Sequence, residues 1–308
     1  EFLTLLRGQC DRNCGDRRDK VYSILSMADP NVRQVLHPDY SKSAPSIYIA
    51  TVKAYISIFK DLNILGYNTH EPSSDCPSWC PDWSKSTMHG VLKVHCYKAS
   101  AMTAAIATFS EDDSTIYAKG FHVGTVIEDC IQGSSVGVNV SEGWTTLNWD
   151  LRLMARKIQS LVRGMQSGPS EAEYETCAIS LAQTLVAARW ENSNGHGIEC
   201  PPPATDPVTG EWWLGDDKRK FVFLASRSAF GRTVIFCDDQ RVGLAPQGTR
   251  VGDEIWIFVG AATPFIIRRI DGGAYKFIGN CYVHGIMKGE LMEDLEKGRY
   301  ELRQVAIR

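Results

Sequence analysis

Residues 253–285 read DEIWIFVGAATPFIIRRIDGGAYKFIGNCYVHG, three short runs rich in Ile, Val, Phe and Tyr set apart by Gly, Pro and Asp-Gly-Gly. Runs of this composition and length, bounded by turn-forming residues, predict β-strands. The same texture recurs upstream in VLKVHCYKA (91–99), STIYAKGFHVGTVIEDC (114–130), KFVFLASRS (220–228) and RTVIFCD (232–238). An early group of about three strands has open edges and half a core on its own, and the later group gains from extra strands. The two groups are therefore expected to join in one antiparallel β-barrel or curled sheet, built from 89–135 and 218–290.

The segments around these strands carry a different period. In DRRDKVYSILSMADP (16–30), Asp16 or Asp19 offers a cap, Val21, Ile24 and Leu25 fall at helical spacing, and Asp29-Pro30 gives a stop. In SKSAPSIYIATVKAYISIFKDLNILGY (41–67), Ser43 and Pro45 suit a first turn, Tyr48, Val52, Tyr55, Phe59 and Leu62 form a stripe, and Gly66 is read as the end. Two more helical patterns, 145–165 and 169–190, precede the Pro-rich loop ENSNGHGIECPPPATDPVTGE (191–211). The fold class expected is α+β: a helical N-terminal region (1–88) packed on the barrel or sheet, a helical insertion with its loop (136–217), and a C-terminal tail (291–308). No repeat of fixed period points to a solenoid or propeller.

Pro77–Ser84, PSWCPDWS, fits neither period. Its prolines remove N–H donors and fix the backbone, so it can cross a sheet without ladder partners while Trp79 and Trp83 pack down and Asp82 caps a turn. A structural bolt between helices and sheet is the reading favoured; a surface anchor is the rival, since Trp is enriched at interface centres.

Composition narrows the function. With 308 residues, 44% apolar content and a formal charge of −3, the chain can build a full core and lacks the basic footprint that nucleic acid or an anionic membrane requires. No apolar run spans a bilayer, and EFLTLLRGQCDR is too short and too quickly charged for a signal peptide. The chain begins at Glu1 without an initiator Met, as a fragment would. Ten scattered cysteines in a chain of this length are read as reduced thiols of a cytoplasmic protein. Cys10/Cys14 and Cys76/Cys80 have C-x3-C spacing but not the tighter spacing of zinc ribbons, so no metal and no cofactor is expected.

GSSVG (133–137) matches the nucleophile pattern G-x-S-x-G around Ser135, but the polar VNVSEGW that follows does not begin a helix, and a flexible turn is the reading favoured. Asn139-Val140-Ser141 is a glycosylation sequon that a cytoplasmic protein leaves unused. Arg152, Arg156, Lys157 and Arg163 are assigned to a solvated helix face. Tyr282–Glu290, YVHGIMKGE, begins as a strand and turns at His284-Gly285. It is read either as closure of the sheet or as an outward turn on which His284, Lys288 and Glu290 dock a partner.

In order along the chain, DRRDKVYSIL, HPDYSKS, PSWCPDWS, TLVAAR, VGLAPQGTRVGDEIWIFVGAATPFIIRR and FIGNCYVHGIMKGE resemble the region that follows the HET domain in fungal heterokaryon-incompatibility proteins. The likeness spans roughly residues 1–290. Arg17, where that family usually has Pro, and Cys80, where it usually has an aliphatic residue, depart from the pattern. The HET domain itself, similar to TIR domains and thought to act on NAD and trigger cell death, is marked by a Y-x-A-L-S-Y-x-W-G-type block and a Cys-Ile-Asn-Gln block; this sequence has neither. The resemblance therefore implies a noncatalytic recognition or regulatory region, acting in non-self recognition and control of programmed cell death, whose partner is a HET effector domain in cis or another protein. The alternative is an enzyme using the same scaffold, with an aromatic-lined pocket between helices and barrel and His284, Asp253 and Glu290 as first candidates.

Overall fold

The computed structural model describes residues 2–10, 12–68, 75–85, 92, 96–132 and 231–308, residues 184 and 228, and four isolated residue pairs between 190 and 213. Its axis is one strand, β2 (Ile116–Gln132), which runs unbroken through Gly120 and Gly124. The first stretch of β2 pairs with β1 (Ala107–Phe109) and with β13 (Arg303–Ile307), the middle with β9 (Glu254–Phe258), and the last with β7 (Arg232–Cys237). The early and late strand groups thus join in one nine-stranded sheet. From β7 the order continues to β8 (Val242–Pro246) and β12 (Tyr282–Val283). On the other side β13 pairs with β11 (Tyr275–Asn280), β11 with β10 (Phe265–Arg269), and β10 with β9, which returns to β2. Pairings are antiparallel except β11 with β13. Between these stretches, β3 (Trp190–Glu191) pairs with β4 (Gly197–Ile198), and β5 (Ala204–Thr205) with β6 (Trp212–Trp213).

Alternation along the strands sorts side chains into two cores. Ile116 and Ala118 of β2, Trp256 and Phe258 of β9, Phe265 and Ile267 of β10, Phe277 of β11 and Ile307 of β13 share one cluster with the N-terminal helices. Phe121, Val123, Ile255, Ile257 and Ile266 belong to a second, with Ile235, Val283 and Leu291.

The helical layer comprises α1 (Phe2–Cys10), α2 (Asp19–Tyr22), α3 (Pro30–Val35) and α4 (Ala44–Phe59). Ser43 caps α4, its hydroxyl accepting from the Ser46 N–H, and Pro45 lies in the first turn. Lys20, buried, donates from Nζ to the carbonyls of Gln9, Cys10 and Arg12, satisfying carbonyls at and just beyond the C-terminus of α1.

Several expectations need correction. The 16–30 pattern is divided between α2 and a 3-10 turn at Leu25–Met27, and Asp29-Pro30 starts the next helix, Asp29 accepting from the Asn31 N–H. Helix α4 ends at Phe59, before Gly66, because Lys60 turns left-handed (φ 56°) and Leu62 N–H donates to Gly260 O instead of continuing the helix. The described residues of the expected strand 91–99 are not extended in a ladder: Lys98, Ala99 and Ser100 donate to the loop carbonyls of Met287, Ala262 and Ala261. Trp190, read as the end of a helix, lies in β3. The tail 291–308 contains a short helix, α5 (Met292–Glu296), and β13, whose Val305 and Ile307 are buried in the first core. Ser135, the 139–141 sequon and the basic face of 152–163 lie outside the described residues. Among the described residues, no helix is long and apolar enough to cross a membrane.

Candidate functional site

Where β2, β9, β11 and β13 come together the surface opens into a groove of about 660 Å3, lined by His122 and Thr125 of β2, Glu254 and Trp256 of β9, Arg269 of β10 and Tyr275 of β11, with Arg303–Ala306 of β13 along one side. Register places the chemistry. Arg269 is the cross-strand partner of Tyr275, and alternation sets Glu254 on the same face as Trp256.

Glu254 is the hub. Its Oε2 accepts from Trp256 Nε1 at 2.9 Å and from the Tyr275 hydroxyl at 3.2 Å, and its Oε1 accepts from Arg269 at 2.9 Å. Burial pushes the Glu254 carboxyl up, but these three donors outweigh it and hold the group below the usual carboxylate range. The Arg269 guanidinium also lies over the Tyr275 ring, 5.4 Å from its centroid, and donates to the Tyr275 hydroxyl at 2.9 Å. Burial followed by the Glu254 charge raises the Tyr275 hydroxyl above its ordinary range. His122 stands edge-on to Trp256, centroids 5.9 Å apart. A carboxylate fixed by three donors is a poor proton shuttle; the arrangement presents a rigid aromatic floor with an exposed cation, Arg269, above it.

A second cavity, of about 290 Å3, lies where the end of α4 meets the sheet, between Phe59, Asp61, Tyr97, Met102 and Gly260. Gly260 (φ 85°) makes this junction possible, because a Cβ there would sit 2.5 Å from the backbone of Ala105. Burial pushes the Asp61 carboxyl up, against donors from the Asn63 N–H (2.8 Å) and the Tyr55 hydroxyl (3.1 Å).

The residues singled out from the sequence are dispersed. Asp253, buried, takes both Nε (2.7 Å) and Nη2 (2.8 Å) of Arg268 and the Arg250 N–H (2.8 Å). None of its hydrogen bonds involves His284 or Glu290. His284 is half-buried after β12, its Nδ1 3.4 Å from the Tyr282 hydroxyl, and burial lowers its pKa. Lys288 and Glu290 are exposed, and Glu290 accepts from the Lys288 N–H at 2.6 Å.

Trp79 and Trp83 are 0% exposed and Asp82 2%. Trp79 packs on Phe109 of β1 and donates to Ser114 O at 3.2 Å, whereas Trp83 packs on Tyr48 of α4. Asp82 accepts from Arg17 at 3.2 Å and from the N–H and hydroxyl of Ser84 at 3.0 and 2.6 Å. Of the paired cysteines, Cys10 and Cys80 are buried, Cys76 is half-buried and Cys14 exposed.

Sequence reasoning missed the groove. Its residues are spread over five strands, and the cue available was the repetition of Glu-x-Trp, Arg-Arg and Tyr in consecutive strands.

Residues 216–302 match the Het-6 beta-barrel domain family. The chain is similar to heterokaryon incompatibility protein 6, OR allele, of Neurospora crassa, with 20% identity over an alignment covering 93% of this chain and 50% of that protein. The chain thus spans about half the length of the curated relative it matches. The resemblance to heterokaryon-incompatibility proteins read from the sequence is borne out, with the barrel-type domain in the C-terminal part of the chain. No solved structure matches.

Proposed function

We propose that this chain is a noncatalytic recognition or regulatory region of a heterokaryon-incompatibility-like protein, acting in fungal non-self recognition and the control of cell death. The observation that carries the reading is the overlap of the matched domain, 216–302, with Glu254, Trp256, Arg269 and Tyr275 of the groove. The circuit of pairings from β2 through β9, β10, β11 and β13 back to β2 supports a closed barrel as the scaffold that holds them. Loops and open grooves on a rigid sheet are where recognition concentrates. The partner proposed is a HET effector domain or another protein that offers an acidic segment to Arg269 and Arg303. The turn bearing His284, Lys288 and Glu290 is the second docking surface offered.

The test is association between this chain and a separately produced HET domain from a heterokaryon-incompatibility protein, measured by calorimetry. Arg269→Glu with Arg303→Glu weakens binding if the groove docks; Lys288→Glu with Glu290→Lys weakens it if the turn does. Binding that neither pair alters, or no binding at all, overturns the reading.

A further inference from the structure

Beyond this groove, a cavity of about 510 Å3 opens between the Pro/Trp segment and the sheet, and its lining contains Arg250, Arg268, Lys276 and Arg308 but no acidic side chain. This concentration occurs in a chain whose formal charge is −3. Register explains how it arises. Lys276 of β11 is the cross-strand partner of Arg268 of β10. On the other side β11 runs parallel to β13 with Tyr275 opposite Ile307, which brings Arg308 alongside Lys276. Three cationic residues therefore stand in a row across β10, β11 and the end of β13, their backbones about 10 Å from end to end at two inter-strand spacings, and Arg250 adds a fourth from the turn before β9.

Like charges directly opposite one another destabilise a sheet. Asp253 offsets one of them, holding Arg268 through two hydrogen bonds. No ion pair is formed by Arg250, Lys276 or Arg308 among the described residues. Ser78 lies beside the row, its hydroxyl accepting from the Phe277 N–H at 2.8 Å, while the Phe277 ring turns away into the first core. A single small anion covers one cation or two; a linear chain of phosphates covers the row, and Arg forks match phosphate oxygens.

We propose that this cavity binds a small molecule carrying a chain of two or more phosphate groups, of the size of a nucleoside di- or triphosphate. This assignment does not depend on what docks in the groove of Glu254.

Calorimetric titration of the chain with ATP, ADP, inorganic tripolyphosphate and adenosine tests it. The expected result is one site per chain for the phosphate compounds, with a dissociation constant of about 100 μM or tighter at low salt that weakens as salt is added, and no binding of adenosine. ATP binding tighter than tripolyphosphate assigns the nucleotide as the ligand; equal binding assigns the phosphate chain alone. Arg250→Gln with Lys276→Gln weakens binding about tenfold or more without lowering the melting temperature of the unliganded chain. Lys42→Gln with Lys297→Gln, exposed residues outside the cavity lining, leaves it unchanged. Absence of binding at millimolar phosphate compound, or equal loss in both pairs of variants, overturns the proposal.

Discussion

Trp83 stands edge-on to Tyr48, ring centroids 5.2 Å apart and planes at 85°, so that a residue between two helix-breaking segments is keyed into the face of α4. Trp79, four residues earlier, is keyed into β1 instead. The short segment between them therefore touches both layers.

Replacing either Trp by Ala is expected to cost about 3–5 kcal/mol, the range for emptying an aromatic core site. Replacement by Phe separates the two. Among the described residues, Trp83 Nε1 has no hydrogen-bond partner, while Trp79 Nε1 donates to Ser114 O. Trp79→Phe should therefore cost more than Trp83→Phe by about 1 kcal/mol, the net value of one hydrogen bond, in urea denaturation. Equal losses, or small ones for the Ala variants, would remove the case for a bolt.

Asp61 should make the protein less stable as pH rises. Its folded pKa is raised, so the folded state holds the proton more tightly than the unfolded chain. Stability then declines from the ordinary Asp pKa, about 4, up through the folded value. Asp61→Asn is expected to raise the melting temperature at pH 7 and to flatten this acid-side slope. A lower melting temperature at every pH would show that its hydrogen bonds outweigh its desolvation.

His284 acts in the opposite sense. Its folded pKa is lowered by burial, so its contribution is complete above the ordinary His value, about 6.5, and is lost as pH falls through the folded value. His284→Gln should therefore flatten the loss of melting temperature between pH 7 and pH 5. By contrast, Lys288→Ala with Glu290→Ala, both exposed, should change stability by less than about 0.5 kcal/mol. A large loss from that pair would place the turn in the core rather than on a docking surface.

The chain on its own should not cleave NAD, because it carries neither of the sequence blocks that mark the HET domain. Incubation with NAD and measurement of nicotinamide release checks this. Sustained turnover abolished by a point substitution within this chain would overturn the noncatalytic reading.

The two-layer plan was legible because burial here follows local periodicity: Tyr48, Val52 and Tyr55 on α4, and Phe265 and Ile267 on β10, announce their faces one segment at a time. What was missed depends on partners distant in sequence. Arg303–Ile307 is short and follows a charged run, and it is extended because β2 and β11 flank it. The run 91–99 looks like a strand by composition, but at its end carbonyls of two distant loops take the N–H groups of Lys98 and Ala99. The hairpin of β10 and β11 places Arg269 opposite Tyr275 and Arg268 opposite Lys276 locally, but the groove and the cation row are completed only by β2 and β13, whose pairing with this hairpin and with β9 no spacing along the chain encodes.

The position of β13 between β2 and β11 also sets a timetable. Residues 116–120 leave the ribosome about 180 residues before their partners at 303–307 exist. At the usual pace of synthesis that is a wait of roughly 10 to 40 seconds. Throughout it, one side of the central strand offers unpaired N–H and C=O groups to any other nascent chain. Shortening the chain from its C-terminal side by a few residues would carry that exposure over into the folded protein.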